Sequence, residues 1–247
     1  MGDGRALTDP YPPPIDDVPA VVVMRQTVEQ VSFGGAPVDA FGYLEEPRHE
    51  WRNKFSRIVI PYIPHSDTLE PRAEIHLASI IFDVDEPYML ATANIESDFN
   101  CRDRTGDYKG LFQLSDYEFS IFGHGDIWNC RDNAQAFAAM SSLQAQQFKE
   151  TVGYYPAEAE RYIIHQQGAG GEMEHALHPD QPAWRSMCLT DEGSDKGEAW
   201  CKRAIWENLL PGWRHIFGTV DKVLSQNFVA LWGKRIDGLA NYYRRHR

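Results

Sequence analysis

From Arg72 to the end of the chain, hydrophobic residues recur every three or four positions, and this spacing limits the fold more than any other feature. Near the C-terminus, the pattern runs through Phe228, Trp232, Ile236, Leu239 and Tyr243. Side chains at that spacing share one face of an α-helix. The sequence therefore predicts a mainly α fold for this part of the chain, with irregular connections between the helices.

Residues that begin or end helices divide this region further. Apolar spacing predicts a buried helix over Ala73–Phe82. Asp85 is the expected N-cap of the next helix, with Pro87 in its first turn.

Two longer helices are expected after these. Asn133 is predicted to cap a helix that ends near Gly153, since asparagine favours helix starts and glycine favours helix ends. Pro156 is predicted to open another helix, which stops at Gly168.

The N-terminal part of the chain has a different pattern. The proline-rich segment 11–14 favours an extended backbone, and the β-branched runs 21–23 and 58–60 favour short strands. Residues 1–71 are therefore predicted to form an extended arm that contains short strands. No basic region followed by an apolar stretch occurs near Met1. If the protein acts outside the cytoplasm, we therefore expect delivery by a route other than a cleaved leader, or a leader that the printed sequence does not include.

Composition excludes several classes of protein. With 43% hydrophobic and 12% aromatic residues, the chain is too apolar for a disordered protein. The net charge of −12 argues against nucleic acid as a partner, because proteins that follow phosphates are usually basic. No apolar run reaches the roughly 18–20 residues that span a bilayer, so no transmembrane segment is expected.

The four cysteines fall into two local pairs, Cys101 with Cys130 and Cys188 with Cys201. The even count fits two disulfides formed in an oxidising compartment, and four reduced cysteines in a cytosolic protein are the alternative. Neither pair has the spacing of a zinc site with a nearby histidine, so no metal site is predicted.

Glu96 is the strongest candidate for chemistry. It lies at the end of an apolar helical stretch, where removal from water favours the protonated form of a carboxyl group. A general acid needs that form to give a proton to a leaving oxygen. Ser97 follows directly, and the segments Gly110–Gln113 and His165–Gly171 come later in the chain.

Together these three segments resemble the lytic transglycosylase and goose-type lysozyme superfamily, whose domain cleaves the glycan strands of peptidoglycan. That family has a Glu-Ser pair at a helix end, a Gly-Leu-Met-Gln-like segment and an Ala-Tyr-Asn-Ala-Gly-like segment. Glu96–Ser97 matches the first motif, and Gly110–Gln113 matches the second with Phe112 in place of the commonest methionine. The resemblance covers roughly residues 72–180.

The resemblance implies a lysozyme-like catalytic domain over residues 72–180, followed by a C-terminal helical extension over 181–247 that packs on it. It also implies a lytic transglycosylase that cleaves the β-1,4 bond between N-acetylmuramic acid and N-acetylglucosamine without a metal or organic cofactor. Glu96 is then the general acid and base, and the product carries 1,6-anhydromuramyl ends. The residues placed at the substrate are Ser97, Gln113, Tyr162, His165, Gln166 and Gly168.

The third motif departs from the family. His165 and Gln166 stand where the family usually has Tyr-Asn, as in versions found in bacteriophage and prophage wall-degrading proteins. The family's tyrosine contacts the catalytic acid. Tyr162, one turn earlier on the same predicted helix, can replace that contact or only pack. The glycines that follow would let a glycan approach the backbone closely, and Gly168 is the first of them.

Two alternatives stay open. A hydrolase of the same bond, a muramidase, needs a second acid, and Asp98, Asp103 and Asp107 lie in the loop after Glu96. A non-catalytic glycan-binding or assembly protein could keep the fold. The expected partners are peptidoglycan strands, with phage or secretion-machine proteins as further candidates, and the expected site of action is periplasmic or extracellular.

Overall fold

The computed structural model describes residues 70–246. The arm predicted for residues 1–71, with its short strands, lies outside this range apart from its last two positions. The described chain is mainly helical, which confirms the predicted fold class, whereas the finer lysozyme-like assignment stays a prediction.

Ten α-helices and one two-stranded hairpin make up the described chain. The first elements are α1 (Pro71–Phe82), α2 (Glu86–Ser97), β1 (Arg104–Thr105), β2 (Tyr108–Lys109), α3 (Asp116–Phe122), α4 (Cys130–Val152) and α5 (Glu158–Leu177). They are followed by α6 (Ala183–Leu189), α7 (Asp191–Lys196), α8 (Glu198–Glu207), α9 (Pro211–Phe217) and α10 (Ser225–Arg245), with a 3-10 turn at Val220–Lys222 before α10.

The start of α2 agrees with the prediction. The carboxylate of Asp85 accepts a hydrogen bond of 3.0 Å from the backbone N–H of Tyr88, which satisfies one of the free donors of the first turn. The helix ends where Asp98 adopts a left-handed conformation, with φ of 50°. Glu96 therefore lies in the last turn of α2, as the sequence predicted.

The two largest differences from the predicted helix boundaries are at the start of α4 and at the end of α5. The N-cap of α4 is Asn129, whose side chain accepts from the N–H of Arg131, so α4 begins before Asn133. Asn133 is no cap, because its amide bonds to the loop before α4. The other difference is at Gly168, where φ of 77° and ψ of 160° kink α5 and the helix continues to Leu177.

The loop after α2 carries a short hairpin that the sequence pattern did not predict. Strands β1 and β2 pair antiparallel, with Arg104 opposite Lys109. Lys109 also bonds both carboxylate oxygens of Asp116 at the start of α3, at 2.6 Å each. The hairpin is thus joined to α3 beside the end of α2.

Both cysteine pairs are disulfide-bonded. Cys101 and Cys130 have Cα atoms 5.2 Å apart and join the loop after α2 to the start of α4. Cys188 and Cys201 have Cα atoms 5.5 Å apart and join α6 to α8. The first bridge therefore holds the hairpin loop against the helix that follows it.

One hydrophobic core runs through most of the described chain, from Ile75 in α1 to Tyr243 in α10. The buried face predicted for α10 is correct, since Phe228, Trp232 and Ile236 are all buried. Through this face α10 packs against α2 and α5. Side chains on both sides of residue 180 share this core. The predicted domain boundary at that residue stays a prediction.

Candidate active site

Glu96 lies where α2, α4 and α5 meet and keeps partial access to solvent. Its side chain is 19% exposed, whereas several neighbours on α2 are fully buried. The carboxyl group is therefore accessible to a bound molecule and also held by protein groups on its inner side.

Tyr162, in the first half of α5, provides the closest of these groups. Its hydroxyl donates a hydrogen bond of 2.8 Å to Oε1 of Glu96. Burial, followed by the nearby charge of Glu96, raises the pKa of Tyr162 well above its usual value. The phenol consequently stays protonated and remains a donor. Its ring packs beside Trp232 of α10, with ring centres 5.1 Å apart.

His165 lies one turn further along α5. Its Nε2 is 3.9 Å from the same Oε1 of Glu96, and its side chain is only 7% exposed. The ring meets Phe137 of α4 edge to face, with centres 5.0 Å apart. Nδ1 is buried without a hydrogen-bond partner among the described residues. The imidazole is therefore held by packing, with one nitrogen near Glu96.

Ser97 connects the end of α2 to the second motif. Its hydroxyl lies 2.7 Å from the carbonyl of Leu111 and 3.2 Å from that of Ala93. Because the contact with Leu111 fixes the end of α2, Ser97 helps to position Glu96. Ser97 is buried, and its predicted contact with a glycan stays a prediction.

The second motif, Gly110–Gln113, is buried along its whole length. Gln113 has φ of 48°, and its Nε2 donates to the carbonyl of Gly110 at 2.8 Å. Its Oε1 is buried without a partner among the described residues. This oxygen is a free acceptor, and its predicted role as a sugar contact stays a prediction.

Asn133 holds this segment in place and was not recognised from the sequence as part of the site. Its Oδ1 accepts from the N–H of Phe112 at 2.9 Å, and its Nδ2 donates to the carbonyls of Lys109 and Ile127. Gly110 has φ of +80°, and a Cβ there would lie 2.4 Å from the Asn133 amide. The sequence signal for this role is an asparagine beside an apolar helical stretch, and the same signal is typical of a helix cap.

Gln166 and Gly168 border the kink in α5. Gln166 is half-buried, with its Oε1 lacking a partner among the described residues. Gly168 is exposed, and a Cβ built there would meet no atom within 4 Å. The space beside this backbone is open, as close approach of a ligand would require.

Beyond the kink, α5 carries a second set of buried polar groups. His175 lies between Ser225 at 3.0 Å and Oε1 of Gln167 at 3.1 Å, and Ser186 is 2.9 Å from Ser225. Burial lowers the pKa of His175 to about 4. Glu172 is fully buried with neither oxygen hydrogen-bonded by the described residues, and burial raises its pKa well above the usual value.

The described residues form neither a metal site nor a membrane-spanning helix. Between residues 70 and 246, His, Cys, Asp and Glu side chains form no group of three or more that could hold a metal ion. No helix in that range combines the length and apolar character needed to cross a membrane.

Neither a comparison with protein-family models nor a search of curated proteins found a match to this chain. The function of the site is therefore inferred from its geometry and from the motifs themselves.

Proposed function

We propose that the protein is a peptidoglycan lytic transglycosylase with Glu96 as its acid and base. The observation that carries this proposal is the pairing of a partly exposed Glu96 with a buried, protonated Tyr162 that donates to one carboxylate oxygen. A tyrosine contact of this kind is what the resemblance implies for the catalytic acid, although Tyr162 provides it one turn earlier than the usual position.

In the proposed reaction, Glu96 protonates the glycosidic oxygen as the bond from the muramyl C1 breaks. The glucosamine unit leaves with that proton. Glu96, now ionised, accepts the proton of the muramyl 6-hydroxyl while this oxygen bonds to C1. The product is the 1,6-anhydro sugar, and Glu96 ends the cycle protonated, as it began.

A single working carboxylate suits the surroundings of Glu96. The nearest acid in sequence, Asp98, accepts a hydrogen bond of 2.9 Å from Asn94. Asp107 is exposed in the turn between β1 and β2. A muramidase needs a second carboxylate at the sugar, and Asp103 is the remaining loop acid that could serve.

The test is digestion of purified peptidoglycan, followed by mass spectrometry of the released muropeptides. We expect 1,6-anhydromuramyl ends with the wild-type protein and none above background with Glu96→Gln, which keeps the shape of the side chain. Reducing muramyl ends would instead identify a muramidase. Equal digestion by wild type and Glu96→Gln would remove the catalytic role of Glu96, and no digestion by either protein would favour a glycan-binding or assembly role.

A further inference from the structure

His165 is the feature of the site that the proposed reaction does not yet use. It replaces the tyrosine expected from the resemblance, while Tyr162 already supplies a hydroxyl to Glu96. Its ring nevertheless faces the same carboxylate oxygen. A side chain that only filled space would not need a nitrogen this close to the acid.

The burial of His165 argues against a direct contact with the glycan. Only 7% of its side chain is exposed. One ring edge packs against Phe137, which itself stacks on Phe112 with ring centres 4.0 Å apart and nearly parallel planes. These contacts join three elements of the site, so the direction of the imidazole is set by the core.

The geometry also distinguishes the two oxygens of Glu96. Tyr162 and His165 both approach Oε1, at 2.8 Å and 3.9 Å, and no described residue donates a hydrogen bond to Oε2. The His165 distance is longer than a hydrogen bond but within reach of a charge contact. Contacts of this kind often shorten when substrate binds.

Building on the proposed function, we infer that His165 is a positioning residue for Glu96. Together with Tyr162 it holds Oε1, so that Oε2 carries the proton that moves to the glycosidic oxygen and later returns from the 6-hydroxyl. An N–H at Nε2 stabilises the negative charge that Glu96 gains after proton donation. His165 thus stabilises Glu96 only after the carboxyl group has given up its proton, and not in the bound ground state. We therefore expect His165 to affect kcat more than KM.

Three substitutions separate this role from packing. His165→Phe keeps an aromatic ring against Phe137 but removes both nitrogens. His165→Gln places an amide N–H near the position of Nε2. His165→Asn places its amide near Nδ1, which has no hydrogen-bond partner among the described residues. The Gln and Asn variants are therefore matched controls that differ in which nitrogen they replace.

The experiment measures kcat and KM on soluble, uncross-linked glycan strands, with folding of each variant checked by thermal unfolding. For His165→Phe we expect kcat to fall about tenfold or more, with KM within about twofold of wild type. His165→Gln should recover kcat to within about threefold of wild type, and His165→Asn should resemble His165→Phe. If His165→Phe does not fold, the comparison of Gln with Asn carries the test.

Three outcomes would overturn the inference. Wild-type kcat in His165→Phe would mean that the nitrogens do nothing for Glu96, and a raised KM at unchanged kcat would mean that the ring contacts the glycan. Equal recovery by Gln and Asn would also contradict a role for Nε2. Loss of activity in Glu96→Gln combined with full activity in His165→Phe would leave the proposed function standing and remove only this role.

Discussion

The two halves of α5 present buried titratable groups in different settings. Before the kink at Gly168, Tyr162 and His165 approach a partly exposed Glu96. After the kink, Glu172 is fully enclosed without partners among the described residues, and His175 is enclosed within a hydrogen-bonded network. A carboxyl group can exchange protons with a substrate only where it is accessible. The comparison therefore favours the first half as the place of the proposed chemistry and a structural role for the second.

The largest expected effect separates the two carboxyl groups. Glu96→Gln should lower activity by about a thousandfold, because it removes the proton that is transferred. Glu172→Gln should leave activity within about threefold of wild type. The measurement is the rate of muropeptide release by both variants, and an equal loss in the two would contradict the distinction between the halves of α5.

The two disulfides are also expected to differ, because one should affect both activity and stability and the other stability alone. Replacing Cys101 and Cys130 by serine should lower the free energy of unfolding by about 3 to 4 kcal/mol and also reduce activity, because this bridge holds the loop that follows Glu96. Replacing Cys188 and Cys201 should cost about 3 kcal/mol, because the closed loop is shorter, and should leave kcat unchanged. Denaturant unfolding and kcat measurements check both pairs. Unchanged activity in the first pair would show that the loop needs no bridge to serve the site.

His175 should make stability depend on acid pH. In the unfolded chain an imidazole binds a proton below about pH 6.5, whereas the folded protein keeps His175 neutral down to its pKa of about 4. Because the unfolded state binds more protons at this residue in this window, His175 should contribute a fall in stability as pH drops from about 6.5 to 4, while the raised pKa of Glu172 contributes in the opposite direction. The expected total is roughly 3 kcal/mol.

Denaturant unfolding at pH 7 and pH 4.5 measures this change. In His175→Gln the contribution should be absent, so the unfolding free energy at pH 4.5, relative to pH 7, should be higher than in the wild type. The same change between the two pH values in both proteins would show that His175 does not contribute to it.

The smallest expected effect belongs to Tyr162. Tyr162→Phe removes the hydroxyl that donates to Oε1 of Glu96 but keeps the ring beside Trp232. Activity should fall about tenfold, which corresponds to about 1.4 kcal/mol, a typical contribution of a hydrogen bond to a charged group. Thermal unfolding should change little if the hydroxyl serves Glu96 more than the fold. An unchanged rate would remove Tyr162 from the site.

Much of this arrangement could be predicted from sequence because it depends on local rules. Apolar spacing identified α1 and α10, Asp85 was recognised as a cap, and the cysteines paired with their near neighbours. Glu96 was placed correctly in the last turn of α2, because the apolar stretch that begins after the Asp85 cap ends beside it.

The unpredicted parts depend on contacts between distant residues. Asn133 was predicted to be a helix cap, because asparagine is favoured at that position. Its amide instead bonds to the loops that precede α4. The sequence left open whether Tyr162 packs or contacts Glu96, and this depends on α2 and α5 both packing against α10. The approach of His165 to Oε1 also depends on Phe137 in α4.

The central claim is that Glu96, after protonating the glycosidic oxygen, takes a proton back from the sugar's own 6-hydroxyl and not from water. The most direct measurement is mass spectrometry of muropeptides after digestion in water labelled with heavy oxygen. We predict anhydro ends that contain no label with the wild-type protein, and no product above background with Glu96→Gln. Labelled reducing ends from the wild-type protein would contradict the claim, because they would show that water attacks the sugar.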